Sequence, residues 1–113
     1  MSFKQEFPTV SFDKEQGIFE ISGNSHPENP GLFYQPIIDE ISEYILNPQN
    51  TTTVNIKLSY FNTASSRQIM IMLLEFKKIQ IKNKELIVNW FYSAKDEDML
   101  EFGEDFSDVS AIK

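Results

Sequence analysis

The sequence predicts an α/β fold in which about four strands form one mixed sheet with helices packed on it. Three observations support this prediction. Apolar residues alternate over Thr51–Phe61, they recur every three or four residues in two other segments, and the two kinds of segment follow each other along the chain. The predicted order is β-β-α-β-α-β-α. Strands joined through helices should therefore run parallel, with right-handed crossovers.

The first two strands are predicted at Thr9–Phe12 and Gly17–Ser22, joined by the polar turn between them as a hairpin. The next ten residues, Ser22–Gly31, contain two Gly, two Pro, two Asn and two Ser. Such a composition is typical of a loop, because it favours neither regular structure. We expect this loop to border the start of the second helix, since it precedes the first crossover.

Two amphipathic helices are predicted, at Leu32–Leu46 and from about Ala64 to Gln80. Asn47-Pro48 should end the first, because proline restricts the residue before it. Their apolar faces, which should form most of the core, are Phe33, Ile37, Ile38, Ile41 and Ile45 for the first and Ile69, Met72, Leu73, Phe76 and Ile79 for the second.

The remaining strands differ in pattern. In Thr51–Phe61, Val54, Ile56, Leu58 and Tyr60 are predicted to face the core together. Glu85–Tyr92 is more continuously apolar, which predicts a strand buried on both faces. A short last helix could be anchored by Met99, Leu100, Phe102 and Phe106.

The composition of the chain restricts the classes of partner and site that it can have. A chain of 113 residues with 41% hydrophobic residues is expected to form one domain over residues 1–113. Its net charge of −7 disfavours nucleic acid and anionic membranes as partners. The absence of cysteine excludes disulfides and thiolate sites. No secretory or membrane-spanning segment is evident, which predicts a cytoplasmic location.

Catalytic and cofactor motifs are lacking. The single histidine, His26, stands in a Pro-rich stretch without a Cys or second His, which favours a solvated loop residue over a catalytic or metal-binding one. The four glycines are too scattered for a phosphate-binding loop. We therefore predict no catalytic residue, no cofactor and no metal site.

The C-terminal region is strongly acidic. Three interpretations remain for it: a solvated face, a docking surface for a basic partner, or a site for a hard cation, although its spacing does not match an EF-hand. The possible docking residues are Asp96, Glu97, Asp98, Glu101 and Glu104.

The junction Asn62–Ser66 joins a predicted strand directly to a predicted helix. The free amides and the dipole of a helix start favour a negative group, so a phosphoryl group on a hydroxyl of Thr63, Ser65 or Ser66 would be well placed. Asn and Thr are also common N-caps without any regulatory role. On physical grounds both interpretations, a simple cap and a phosphorylation site, remain open.

Three motifs together resemble the SiaC family of bacterial regulatory phosphoproteins. They are GNSHPEN at 23–29, YFNTASS at 60–66 and DEDMLEFGE at 96–104, and the resemblance runs over nearly the whole chain. It implies a STAS-like fold of the anti-sigma-factor-antagonist type, no catalytic activity, and a role in partner switching. The implied phosphoacceptor is Thr63, flanked by the implied partner-binding residues Tyr60, Asn62, Ser65, Ser66, Pro27, Glu28 and Asn29.

The resemblance also implies partners. A histidine-kinase-like protein kinase would phosphorylate Thr63, and a PP2C-type phosphatase would reverse the modification. The unmodified protein would bind and activate an effector such as a diguanylate cyclase, which links the switch to cyclic-di-GMP signalling and biofilm regulation.

The alternatives to such a switch are a small-ligand-binding domain and an enzyme. A small-ligand-binding domain would need an apolar pocket between sheet and helix. An enzyme using clustered carboxylates would need two acids facing each other in a cleft, for which the sequence offers no fixed spacing.

Overall fold

The computed structural model describes residues 7–25, 27–91, 101, 103 and 104. These residues form one four-stranded sheet with strand order β1-β2-β3-β4 and two helices. The predicted α/β architecture is therefore confirmed. The elements are β1 Thr9–Asp13, β2 Ile18–Ser25, α1 Pro30–Tyr44, β3 Thr51–Phe61, α2 Thr63–Ile81 and β4 Glu85–Trp90.

The sheet is mixed, as predicted. β1 and β2 pair antiparallel as a hairpin, whereas β2 pairs parallel with β3 and β3 pairs parallel with β4. The hairpin closes at Gly17, whose φ of 70° favours glycine. In the β2–β3 pair Ser25 lies opposite Phe61, so both strands end at one edge of the sheet, here called the carboxyl edge.

The core lies between one face of the sheet and the two helices, which pack against each other. Along β3, buried Val54, Ile56 and Leu58 alternate with less buried neighbours, as expected for a strand covered on one side. The predicted face of α2 is buried throughout. In α1, Ile38 and Ile41 are buried as predicted, and so is Ile45 directly after the helix. Tyr34 and Tyr44, which the periodicity did not single out, complete that face.

The predicted loop over residues 22–31 is too long. β2 continues through Gly23 and Asn24 to Ser25, and α1 already begins at Pro30. The reason is parallel pairing with β3, which gives the backbone of these turn-type residues ordinary ladder partners. His26 lies outside the described residues.

The side chain of Tyr60 was wrongly placed on the buried face of β3. The register changes from Gly23 opposite Leu58 to Asn24 opposite Tyr60, so Ser59 is skipped. This bulge reverses the alternation. Tyr60 is consequently 52% exposed, while Phe61 turns inward and is 6% exposed.

The strand β4 is not buried on both faces as predicted. It has β3 as its neighbour on one side and forms the edge of the described sheet, and it ends at Trp90. Leu86 is buried, but Ile87 is 38% exposed because the outer face of the sheet carries no helix in the described part of the chain. Of the predicted last helix, Glu101, Gly103 and Glu104 are described and have helical backbone, whereas its apolar anchors lie outside the described residues.

Candidate functional site

The start of α2 is built as an asparagine-capped turn. Asn62 has extended φ and ψ of −82° and 172°, and its Oδ1 accepts a hydrogen bond of 2.8 Å from the amide of Ser65. Thr63 is therefore the first residue of the helix, and it is exposed. This geometry confirms the interpretation of Asn62 as the N-cap of α2. Thr63, the residue after the cap, lies on the surface.

The two serines of this turn lie in different environments. Ser66 is half-buried, and its hydroxyl donates a hydrogen bond of 2.6 Å to the carbonyl of Thr63. Ser65 is fully buried. Of the three hydroxyls in the turn, that of Thr63 belongs to the most exposed residue, whereas Ser65 lies beneath the surface.

Ser65 belongs to a buried polar cluster that the sequence did not reveal. Its Oγ accepts a hydrogen bond of 2.9 Å from Ser25, which shares a second one of 2.5 Å with the hydroxyl of Tyr34. We call Ser25, Tyr34 and Ser65 the serine–tyrosine cluster. The backbone carbonyl of Ser25 also accepts from the amide of Asn62 at 3.0 Å. The cluster thus ties β2, α1 and α2 together at the capped turn.

The cluster changes the chemistry of Tyr34. Burial raises the pKa of this phenol above its usual value, and hydrogen bonds with Ser25 and Ser65 offset part of that rise. Tyr34 therefore remains neutral at physiological pH and acts as a hydrogen-bonding group. Every buried side-chain nitrogen and oxygen in the described part of the chain has a hydrogen-bond partner.

The other predicted partner-binding residues lie on segments that meet the carboxyl edge. Tyr60 is exposed near the end of β3. Pro27 is buried, while Glu28 and Asn29 are exposed and form part of a shallow surface cavity of about 380 Å³. Their segment leaves the sheet at Ser25, next to Asn62. A direct contact between this segment and the Thr63 surface remains a prediction.

The acidic segment is partly described. Asp96, Glu97 and Asp98 lie outside the described residues, whereas Glu101 and Glu104 are exposed. Between them, Gly103 packs so closely on the indole of Trp90 that a Cβ there would lie 2.6 Å from Cδ1. Trp90 in turn meets the ring of Phe61 edge-on at 6.3 Å. A chain of contacts therefore connects the acidic segment to the residue preceding Asn62.

The described residues contain neither a metal-binding cluster nor a membrane-spanning helix. They contain no group of three or more His, Cys, Asp or Glu that could hold a metal ion. Over the same part of the chain, no helix is long and apolar enough to cross a membrane.

Comparison with known proteins gives the family. The model of the SiaC family of regulatory phosphoproteins matches residues 1–113. The chain belongs to the SiaC family. A related sequence, an uncharacterized protein of Pseudomonas aeruginosa strain UCBPP-PA14, is 24% identical over 102 residues, which cover 90% of this chain and 81% of that protein.

Solved structures confirm the SiaC fold. A chain in the crystal structure of the diguanylate cyclase SiaD in complex with its activator SiaC from P. aeruginosa superposes with a TM-score of 0.85 at 24% identity, covering 92% of this chain and 85% of that one. Apo-SiaC from the same organism gives a TM-score of 0.80 at 23% identity, with 93% and 88% covered.

Proposed function

We propose that this SiaC-family protein is a non-catalytic signalling switch, reversibly phosphorylated on Thr63 and exchanging partners according to its phosphorylation state. The observation that carries the proposal is the placement of Thr63 as an exposed first residue of α2, directly after the Asn62 cap. The other two hydroxyls of that turn bond within the protein. A kinase would therefore find the hydroxyl of Thr63 the most accessible of the three.

Phosphorylation would change the surface without disturbing the cap. A phosphoryl group adds a charge of about −1.5 to −2 at neutral pH. The cap bond uses the Asn62 side chain and the Ser65 amide, neither of which belongs to Thr63. The first turn of α2 contains no acid that would repel the new charge, and its free amides favour it. A partner docked over unmodified Thr63 would lose binding through charge, bulk and desolvation.

The proposed partners are a histidine-kinase-like protein kinase, a PP2C-type phosphatase and an effector such as a diguanylate cyclase. Family membership supports the regulatory phosphorylation, and the complex of SiaC with SiaD supports a cyclase as the effector. We place the protein in the cytoplasm as a single STAS-like domain, without a cofactor, in cyclic-di-GMP signalling and biofilm regulation.

The alternative of a small-ligand-binding domain receives less support. The space between sheet and helices is filled by large side chains such as Phe19, Tyr34 and Phe76. Two surface cavities lined by described residues lie at the start of α1 and near the end of α2, and neither lies between sheet and helix.

The proposal is tested by activation of a SiaD-type diguanylate cyclase from the same host. Unmodified protein and Thr63→Ala should bind and stimulate it, while phosphorylated protein and Thr63→Asp should bind at least about tenfold more weakly, a loss of about 1.4 kcal/mol. Ser66→Ala is the matched control and should remain switchable by the kinase. Equal binding of unmodified and phosphorylated protein would refute the proposal.

A further inference from the structure

Arg67 lies four residues after Thr63, on the same side of α2. It is the only arginine in the sequence, and it is exposed. Residues four apart on a helix have Cβ atoms roughly 5–6 Å apart, and long side chains lean toward the helix N-terminus. The guanidinium group of Arg67 can therefore reach the hydroxyl of Thr63 without any change in the backbone.

Among the described residues, Arg67 has no ion-pair partner. The ion pairs among the described residues are Lys14–Glu40, Lys57–Glu20 and Lys78–Glu75, and Arg67 takes part in none of them. The first acid in α2 is Glu75, which already bonds Ser42 and Lys78. The guanidinium therefore has no competing carboxylate within its own two turns of helix.

We propose that the guanidinium group of Arg67 binds the phosphoryl group on Thr63. This inference rests on the proposed function. A guanidinium presents parallel N–H donors whose spacing matches two phosphate oxygens, which a lysine ammonium cannot reproduce. The next cations along α2 are Lys77 and Lys78, which lie about 21 Å and about 22.5 Å from Thr63 along the axis at about 1.5 Å per residue. Arg67 is thus the cation of α2 that can reach the phosphate.

The pairing would make the switch act on two charges. In the unmodified protein, Arg67 offers a cation beside Thr63 to a partner's carboxylate. In the phosphorylated protein, the same guanidinium is held by the phosphate. A partner carboxylate that binds Arg67 would lose this cation when the phosphoryl group pairs with it. The same carboxylate would also be repelled by the phosphoryl group, so one modification removes an attraction and adds a repulsion.

The experiment uses full-length protein with phosphothreonine incorporated at position 63 during translation, so it does not depend on any kinase. The phosphate is titrated by ³¹P NMR in the parent protein, in Arg67→Gln, in Arg67→Lys and in Lys77→Gln. The last variant removes the same charge from the distant part of α2. Glu28, Glu101 and Glu104, the described carboxylates on segments near the carboxyl edge, are common to all four proteins.

The titration midpoint should be lower in the parent than in Arg67→Gln by about 0.2–0.7 pH unit, the equivalent of an exposed ion pair. Lys77→Gln should titrate like the parent, and Arg67→Lys should lie between the parent and Arg67→Gln. Coincident midpoints for the parent and Arg67→Gln would overturn the pairing. Since the phosphate is installed directly, a host that never phosphorylates Thr63 would refute the proposed function and leave this result standing.

Discussion

The hydroxyl of Ser25 donates a hydrogen bond to the hydroxyl of Ser65 at 2.9 Å, joining the last residue of β2 to the third residue of α2. Tyr34 of α1 completes the connection through Ser25. Hydrogen bonds from β2 and α1 therefore fix the position of the turn that begins with Thr63. If Thr63 is phosphorylated as proposed, the modification would occur at a turn whose position is fixed by these hydrogen bonds.

Replacing Ser65 by alanine should destabilise the fold more than replacing Ser66. Ser65→Ala removes the acceptor of a buried hydrogen bond and should cost about 1–3 kcal/mol in the free energy of unfolding. Ser66→Ala removes a bond at the surface and should change it by less than about 0.5 kcal/mol. Equilibrium urea unfolding measures both. Equal effects of the two substitutions would contradict a structural role for the cluster.

Loss of the helix cap should be measurable in the same way. Asn62→Ala removes the acceptor for the Ser65 amide and should lower the free energy of unfolding by about 1 kcal/mol. Asn62→Ser keeps a capping oxygen and should recover most of that stability. If the serine variant proved as unstable as the alanine variant, the cap would not be the source of the loss.

Tyr34 should make stability fall at high pH. Its pKa is raised in the folded state, while the unfolded phenol titrates near its usual value of about 10. Below pH 10 both states hold the proton and the full stability is present. Between pH 10 and the higher folded pKa the unfolded state ionises first, so the free energy of unfolding decreases.

Urea unfolding between pH 9 and 11 tests this expectation. Tyr34→Phe should flatten the alkaline decline, whatever its effect at neutral pH. Parallel profiles for the parent and Tyr34→Phe would show that the loss has another origin.

The contact between Gly103 and Trp90 gives a fluorescence readout, because Trp90 is the only tryptophan. Gly103→Ala would place a methyl group 2.6 Å from indole Cδ1, so the segment or the ring must move. We expect a shift in the emission maximum and a destabilisation of about 1–3 kcal/mol. Gly31→Ala, whose Cβ would have its nearest neighbour at 3.5 Å, is the matched control and should leave the emission unchanged. Identical spectra for the parent and Gly103→Ala would argue against this packing.

The spacing of apolar residues was sufficient to predict the helices and strands with a regular period. The apolar spacing of α2 and the Asn62-Thr63 boundary were both predicted, since the strand period ends at Phe61 and the helix begins within one residue of the expected position. Parallel pairing of β2, β3 and β4 followed from the helices between them. These features depend on neighbours in sequence, which a single chain displays directly.

Features that depend on distant residues could not be predicted. The bulge that turns Tyr60 outward exists because of the register of β3 against β2. Gly23–Ser25 has the composition of a turn, yet forms a strand because β3 lies beside it. The Ser25–Ser65 bond joins residues 40 positions apart, and nothing local marks either serine as buried. The motif was sufficient to propose Thr63 as the phosphoacceptor. It did not indicate the serine–tyrosine cluster that lies beneath the turn.

Phosphorylation of Thr63 in the cell can be measured by mass spectrometry of the protein purified from its native host, with and without phosphatase treatment. We expect a population carrying one phosphate, located on Thr63 by peptide fragmentation and removed by the phosphatase. A Thr63→Ala protein from the same host should carry none at this turn. A phosphate on Ser66 in place of Thr63, or no phosphate under any growth condition, would contradict the account and leave Asn62-Thr63 as a simple helix start.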